Sequence, residues 1–151
     1  MRYQQLGAEI QLLTGELDRL TVRHAPALRA LLGVGPEVAA ELLVCAGDNP
    51  ARLGSEAAFA ALCGTSPVEA SSGKTRRHRL NRGGDRHANA ALHRIVIVRL
   101  RWHQPTRDYL ARRTAQGKTK KEILRCLKRY VAREVFAVLH QLAEQDQATA
   151  A

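Results

Sequence analysis

The stretch Asp85–His103, DRHANAALHRIVIVRLRWH, decides the fold class. Asp85 is a residue type whose side chain caps the exposed N–H groups at a helix start. Ala88, Ala91, Leu92, Ile95, Val98 and Trp102 then recur at helical spacing. They predict one buried stripe on a helix from Arg86 to His103. Arg94 and Arg101, seven apart, fall together on the outer face.

Downstream the pattern stays helical. Pro105 suits the start of another helix, and Gly117 its end. Thr119-Lys120-Lys121-Glu122 reads as a capping box opening a last helix. There Ile123, Leu124, Leu127, Val131, Val135, Val138 and Leu142 are expected inward, with Lys121, Arg125 and Lys128 outward. Helical faces of one sign favour a binding groove over a merely solvated surface. The tail 146–151 is expected to be flexible.

Upstream, Tyr3, Leu6, Ile10, Leu13, Leu17 and Leu20 step by 3, 4, 3, 4 and 3, a heptad seam. Gly7 and Gly15 weaken that helix by about 1 kcal/mol each. Its stripe therefore needs a partner: its own domain, another copy, or a preceding helix. Pro26 begins a short helix, and Leu32-Gly33-Val34-Gly35-Pro36 then reads as a tight turn into a second one. This resembles a helix–hairpin–helix corner, in which Gly33 and Gly35 let backbone N–H groups approach a phosphate. Glu37 and Glu41 make the corner acidic and weaken that reading. Asn49-Pro50 breaks the chain. Ser55 then caps a helix from Glu56 to Cys63, and Gly64 ends it. The fold class is thus mainly α, with a coiled-coil arm over 1–24 and a helical domain over 25–145.

Between these helices lies Ser66–Asp85, SPVEASSGKTRRHRLNRGGD. Two serines and a glycine open into Lys74, Arg76, Arg77, Arg79, Arg82 and, just beyond, Arg86. Arginines orient phosphate oxygens and a serine hydroxyl can attack phosphorus, so Ser71 and Ser72 are candidate nucleophiles. A flexible basic loop that only binds nucleic acid is the plainer alternative. Periodicity leaves Lys74–Leu80 as either a β-hairpin or an extended arm. Gly73-Lys74-Thr75 is no P-loop, because position 68 is Val68, not the required glycine.

The 151 residues carry a net charge of +10, concentrated in one region. Residues 70–133 hold 19 basic and 3 acidic residues, a net of +16. Such density repels itself unless a polyanion lies against it. No run approaches the roughly 18 apolar residues of a membrane span, and no lipidation motif or signal-peptide core is present. Cys45, Cys63 and Cys126 form no C-x-x-C pair and read as reduced thiols of a cytosolic protein. His78, His87, His93 and His103 sit among cations that disfavour a metal ion, so no metal site is expected in this chain.

The order Leu32-Gly-Val-Gly, Ala60-Ala-Leu-Cys-Gly-Thr-Ser-Pro, Ala70-Ser-Ser-Gly-Lys and Asn81-Arg-Gly-Gly-Asp-Arg, followed by an alanine-rich helix, is distinctive. From about Ala27 to Leu142 the chain resembles the C-terminal transposase domain of the IS116/IS110/IS902 insertion-sequence family. That family joins a coiled-coil segment to a helical, serine-bearing domain. Upstream, its full-length members carry an RuvC-like domain with four metal-binding carboxylates. The resemblance implies a bacterial, cytoplasmic, nucleoid-associated protein acting on DNA under a structured guide (bridge) RNA. It maps the family's catalytic serine, just before a glycine, onto Ser72, with Ser71 adjacent. Gly73 and the neighbouring cations would then contact nucleic acid.

This chain departs from the full family pattern in lacking the RuvC-like domain and its acidic cluster. Glu69 and Asp85 are the only carboxylates near the serines in sequence. The expectation is therefore the serine half of a composite site. A divalent metal, magnesium by its chemistry, would be held by another domain. Two function classes follow: a recombinase domain using Ser72, or a non-catalytic nucleic-acid-binding module with an oligomerising arm.

Overall fold

A computed structural model describes residues 1–48 and 50–150. The break expected at Asn49-Pro50 therefore falls partly outside the described residues, as does Ala151. The chain is mainly α, about 73% helical, with a small two-stranded sheet. Helix α1 runs Arg2–His24, α2 Pro26–Arg29 and α3 Pro36–Ala46. A 3-10 turn at Pro50–Leu53 precedes α4, Glu56–Leu62. Strands β1 (Val68–Glu69) and β2 (His78–Arg79) come next, then α5 (Arg86–Trp102), α6 (Gln104–Ala115) and α7 (Lys120–Ala150).

The local signals act where the sequence places them. Ser55 accepts a hydrogen bond from the Ala58 N–H at 3.1 Å, and Asp85 from the Ala88 N–H at 2.8 Å. The Glu122 carboxylate accepts from the Thr119 N–H at 2.9 Å, while the Thr119 hydroxyl accepts from the Glu122 N–H at 3.4 Å. That is the reciprocal capping box of α7.

Helix α5 is the centre of the core, packed between α3 and α7. Leu92 and Ile95 of α5, Leu42 of α3, Phe59 of α4 and Val135 of α7 are wholly buried together. The α5 stripe differs from expectation at its C-terminal end. Trp102 is 67% exposed and Val98 lies at the surface, whereas Val96 and Arg99 are buried. Position 99 lies four after Ile95 and three after Val96, so it stays on the inward face. Arg99 is tolerated there because its guanidinium is satisfied. It donates to the Leu32 carbonyl at 2.9 Å and pairs with Glu134 at 2.8 Å.

The corner between α2 and α3 is held from within. Gly33 adopts φ +92°, and a Cβ there would lie 3.1 Å from the Ile95 carbonyl oxygen. Its glycine therefore serves close packing on α5 as well as the turn. Arg29 ties the corner down, donating to the Val34 carbonyl at 2.8 Å and pairing with Asp18 of α1.

The first three turns of α1 project from this domain. Tyr3, Leu6, Ile10 and Leu13 are exposed, and only from Leu17 onward does the helix bury side chains against its own domain. At the other end α7 continues as helix through Ala150, with residues 144–150 exposed. No described helix is long and apolar enough to cross a membrane.

Candidate functional site

The basic segment folds as a β-hairpin. Val68 pairs with Arg79 and Glu69 with His78, antiparallel. The same register continues to the tip: the Ala70 N–H donates to the Arg77 carbonyl at 2.8 Å. Ser72 and Thr75 exchange both backbone bonds at 3.1 Å. Gly73 and Lys74 are the two turn residues, and Gly73 alone has positive φ, at +57°. A two-residue hairpin loop with glycine first is the pattern that matches strand twist.

Directly paired residues share a face of the ladder. Ser72 therefore shares its face with Thr75, Arg77 and Arg79; Ser71 shares the other with Glu69, Arg76 and His78. The hydroxyls differ accordingly. Ser71 donates to the Glu69 carboxylate at 3.1 Å and accepts from the Arg77 N–H at 3.3 Å. The Ser72 hydroxyl makes no hydrogen bond among the described residues, and every residue from Ser71 to Leu80 is exposed.

Both ends of the hairpin are fastened at one point. Gly64, at φ +64°, ends α4 and lies directly against Gly84; a Cβ on Gly84 would sit 2.1 Å from the Gly64 nitrogen. The Asp85 N–H donates to the Leu62 carbonyl at 2.7 Å. The Asn89 amide donates to the Cys63 carbonyl at 2.9 Å and the Gly64 carbonyl at 3.1 Å. Its own oxygen accepts from Lys128 at 2.9 Å. Arg125 donates to the His78 carbonyl at 3.1 Å and ties the hairpin base to α7.

Between the hairpin base, α6 and α7 lies a cleft of about 540 Å³. Eight Lys and Arg side chains line it against one carboxylate, Glu122. Thr119, through its N–H and then its hydroxyl, holds the Glu122 carboxyl below its ordinary value. The half-exposed ring of Tyr130 and the exposed Leu80 supply apolar surface. Tyr109 packs edge-on against Tyr130 at 5.6 Å between centroids. Burial, reinforced by Cys126 and Tyr130, pushes the Tyr109 phenol up to about 12, so it stays neutral.

The model of the transposase IS116/IS110/IS902 family matches residues 25–111, which hold the corner, the hairpin and α5. The chain belongs to the IS116/IS110/IS902 transposase family. It is also 31% identical over 130 residues to the uncharacterized 43.6 kDa protein of insertion element IS110 from Streptomyces coelicolor. That match covers 84% of this chain and 32% of the relative, so the chain spans about a third of the curated relative's length.

Within this transposase family member, the cations expected to form one groove part company. Arg76, Arg79 and Arg125 line the cleft, while Arg77 and Lys74 stand exposed on the hairpin. Arg82 and Arg86 are exposed just after the hairpin, Lys121 is exposed at the start of α7, and Arg101 lies over the Trp102 ring at 5.1 Å. Arg94, read as an outward cation, instead crosses to α3, pairing with Glu37 at 3.2 Å and with Glu41. Its charge is spent joining two helices. Lys128, also read as outward, is buried. Burial, then the neighbouring Arg125, holds its ammonium pKa below the ordinary lysine value. It lies four after Leu124 and three before Val131, on the inward stripe. Gly35 caps α3 with open space above it, but Glu37 follows in the first turn.

Sequence reasoning read Gly64 only as a helix end and missed its contact with Gly84, along with Asn89, which fastens the hairpin, and Arg113, Arg129 and Tyr130 of the cleft. The paired glycines and an asparagine one turn into α5 were the available signal. No group of three or more His, Cys, Asp and Glu side chains suited to a metal occurs among the described residues.

Proposed function

We propose that this chain is the serine-bearing part of a DNA transposase: it binds DNA and a structured guide RNA, and Ser72 attacks the strand to be cut. The observation carrying this reading is the unengaged Ser72 hydroxyl beside Gly73 at the tip of an arginine-rich hairpin. In the reaction the hydroxyl gives up its proton and its oxygen bonds to phosphorus. The proton passes to solvent, and the sugar oxygen leaves with the electron pair of the broken P–O bond and takes up a proton from solvent, so strand and protein become joined. Arg77 and Arg79, on the same face, neutralise phosphate oxygens as charge builds.

Among the described residues the donor set does not fit a divalent metal, since carboxylates are not gathered near the hairpin. Metal chemistry is left to a domain outside this chain, and the isolated chain binds DNA without cutting it. The test is to trap a protein–DNA adduct in a protein that also carries the metal-binding domain. Cleavage without any adduct would overturn the serine mechanism.

Duplex affinity of the isolated chain should fall steeply with salt, at a log–log slope of about −0.9 per phosphate contact. Titration by fluorescence anisotropy between 50 and 200 mM salt (on the order of a usual working range) measures it. A flat response would remove the cationic surface from the reading.

The exposed seam of α1 is the part that joins another copy or an upstream helix. Replacing Ile10 and Leu13 by Asp should dissociate the oligomer in sedimentation without unfolding the domain. Both side chains are more than 60% exposed in the single chain, so their apolar surface is only buried by a partner. Unchanged sedimentation and partner binding would mean that α1 needs neither.

A further inference from the structure

We infer that the cleft between the hairpin base and α6–α7 holds one unpaired nucleotide, with its phosphate among the arginines and its base against Tyr130. The inference rests on the reading that the chain binds nucleic acid and names which form it selects.

The charge of the cleft calls for an anion. Eight cations around one carboxylate repel each other in a site partly shielded from water. Internal pairing relieves little of this. Glu56 bonds Arg129 at 2.8 Å and Arg133 at 3.0 Å, two of the eight. Two guanidiniums also keep donors that no protein group meets, Nε of Arg113 and Nη1 of Arg129. Buried donors without acceptors are costly, and a small rotation of either group brings them to a phosphate oxygen.

The shape selects the nucleotide. A volume of about 540 Å³ is that of a small-molecule site, enough for a single splayed nucleotide. A paired duplex could lay only its backbone along the rim. Tyr130 is 48% exposed beside the arginines, and Arg133 approaches its ring at 5.9 Å. An aromatic face with a guanidinium alongside is what an unstacked base packs on. Tyr130 is held by its edge contact with Tyr109, so the platform exists before ligand arrives.

The full chain should be titrated with duplex DNA and with the same duplex carrying one extrahelical 2-aminopurine. A matched RNA pair forms the second arm. The bulged form should bind about tenfold more tightly, within what one base–aromatic stack contributes, and its fluorescence should be quenched on binding. Preference in the DNA arm alone assigns the cleft to the substrate strand; preference in the RNA arm alone assigns it to a guide. Tyr130→Leu should erase the preference and quenching while leaving paired-duplex affinity unchanged. Arg113→Gln, which leaves both tyrosines in place, should weaken the bulged form selectively and guards against misfolding of the tyrosine variant. Equal binding of paired and bulged forms by the wild type overturns this inference alone. Failure to bind any nucleic acid at low salt overturns the underlying reading instead.

Discussion

Gly84→Ala is expected to detach the basic hairpin from the helical core and to cost about 3 kcal/mol or more, through overpacking and lost hydrogen bonds. The added Cβ would stand 2.1 Å from the Gly64 nitrogen, 2.3 Å from its Cα and 2.8 Å from the Cys63 carbonyl carbon. All three are backbone atoms, so no side chain can turn away. Relief requires that the two strands of backbone separate. That pulls on the Asp85 bond to Leu62 and on both Asn89 bonds. Gly83→Ala is the control: its Cβ would meet only the Asn81 side-chain oxygen, at 3.3 Å. Denaturant unfolding of the two variants, with hydrogen exchange at the Asp85 N–H, measures the difference. Equal stability of both would mean that the Gly64–Gly84 contact is not what closes the hairpin.

The features legible in the sequence are those that act over one helical turn. Ser55, Asp85 and the Thr119–Glu122 box are caps whose partners lie three residues away, so residue type and spacing suffice. Gly117, at φ +81°, follows the C-terminus of α6 for the same local reason. The features that were not legible depend on distant partners. Arg99 is buried because Leu32 and Glu134 receive it, 67 and 35 residues away. Without those partners a charge at position 99 reads as solvent-facing, and the stripe appears to shift to Val98 and Trp102. Lys128 is misread for the same reason, its partner Asn89 being on another helix. The hairpin could not be told from an extended arm because its strands are short, mostly exposed and carry no apolar alternation. Its pairing is set by Gly73 at the tip and by the two-glycine contact at the base. The cleft is assembled from the hairpin, α6 and α7, so its volume has no sequence signature. Its constituents were visible only as excess positive charge.

Ser72→Ala, in a protein that also carries the metal-binding domain, should abolish the covalent DNA adduct and lower strand cleavage by at least about a thousandfold. Removing a catalytic nucleophile generally costs that much or more. Ser71→Ala should retain the adduct at reduced yield, and the two hairpin faces explain the difference. Ser71 is already engaged by Glu69 and by the Arg77 N–H, so its loss loosens the tip without removing a free hydroxyl. Ser72 is exposed and next to Gly73, where even an added Cβ would meet nothing within 4 Å. A phosphate can therefore approach the Ser72 oxygen past the turn without displacing a side chain. Arg77 and Arg79 lie on that face, and Arg125 fixes the strand bearing Arg79 through the His78 carbonyl. DNA affinity at low salt should be unchanged in both variants, because neither alters a cation. Adduct lost only in Ser71→Ala would transfer the role to the Glu69 face. Adduct retained in both would place the attacking oxygen elsewhere and leave the hairpin as a phosphate clamp.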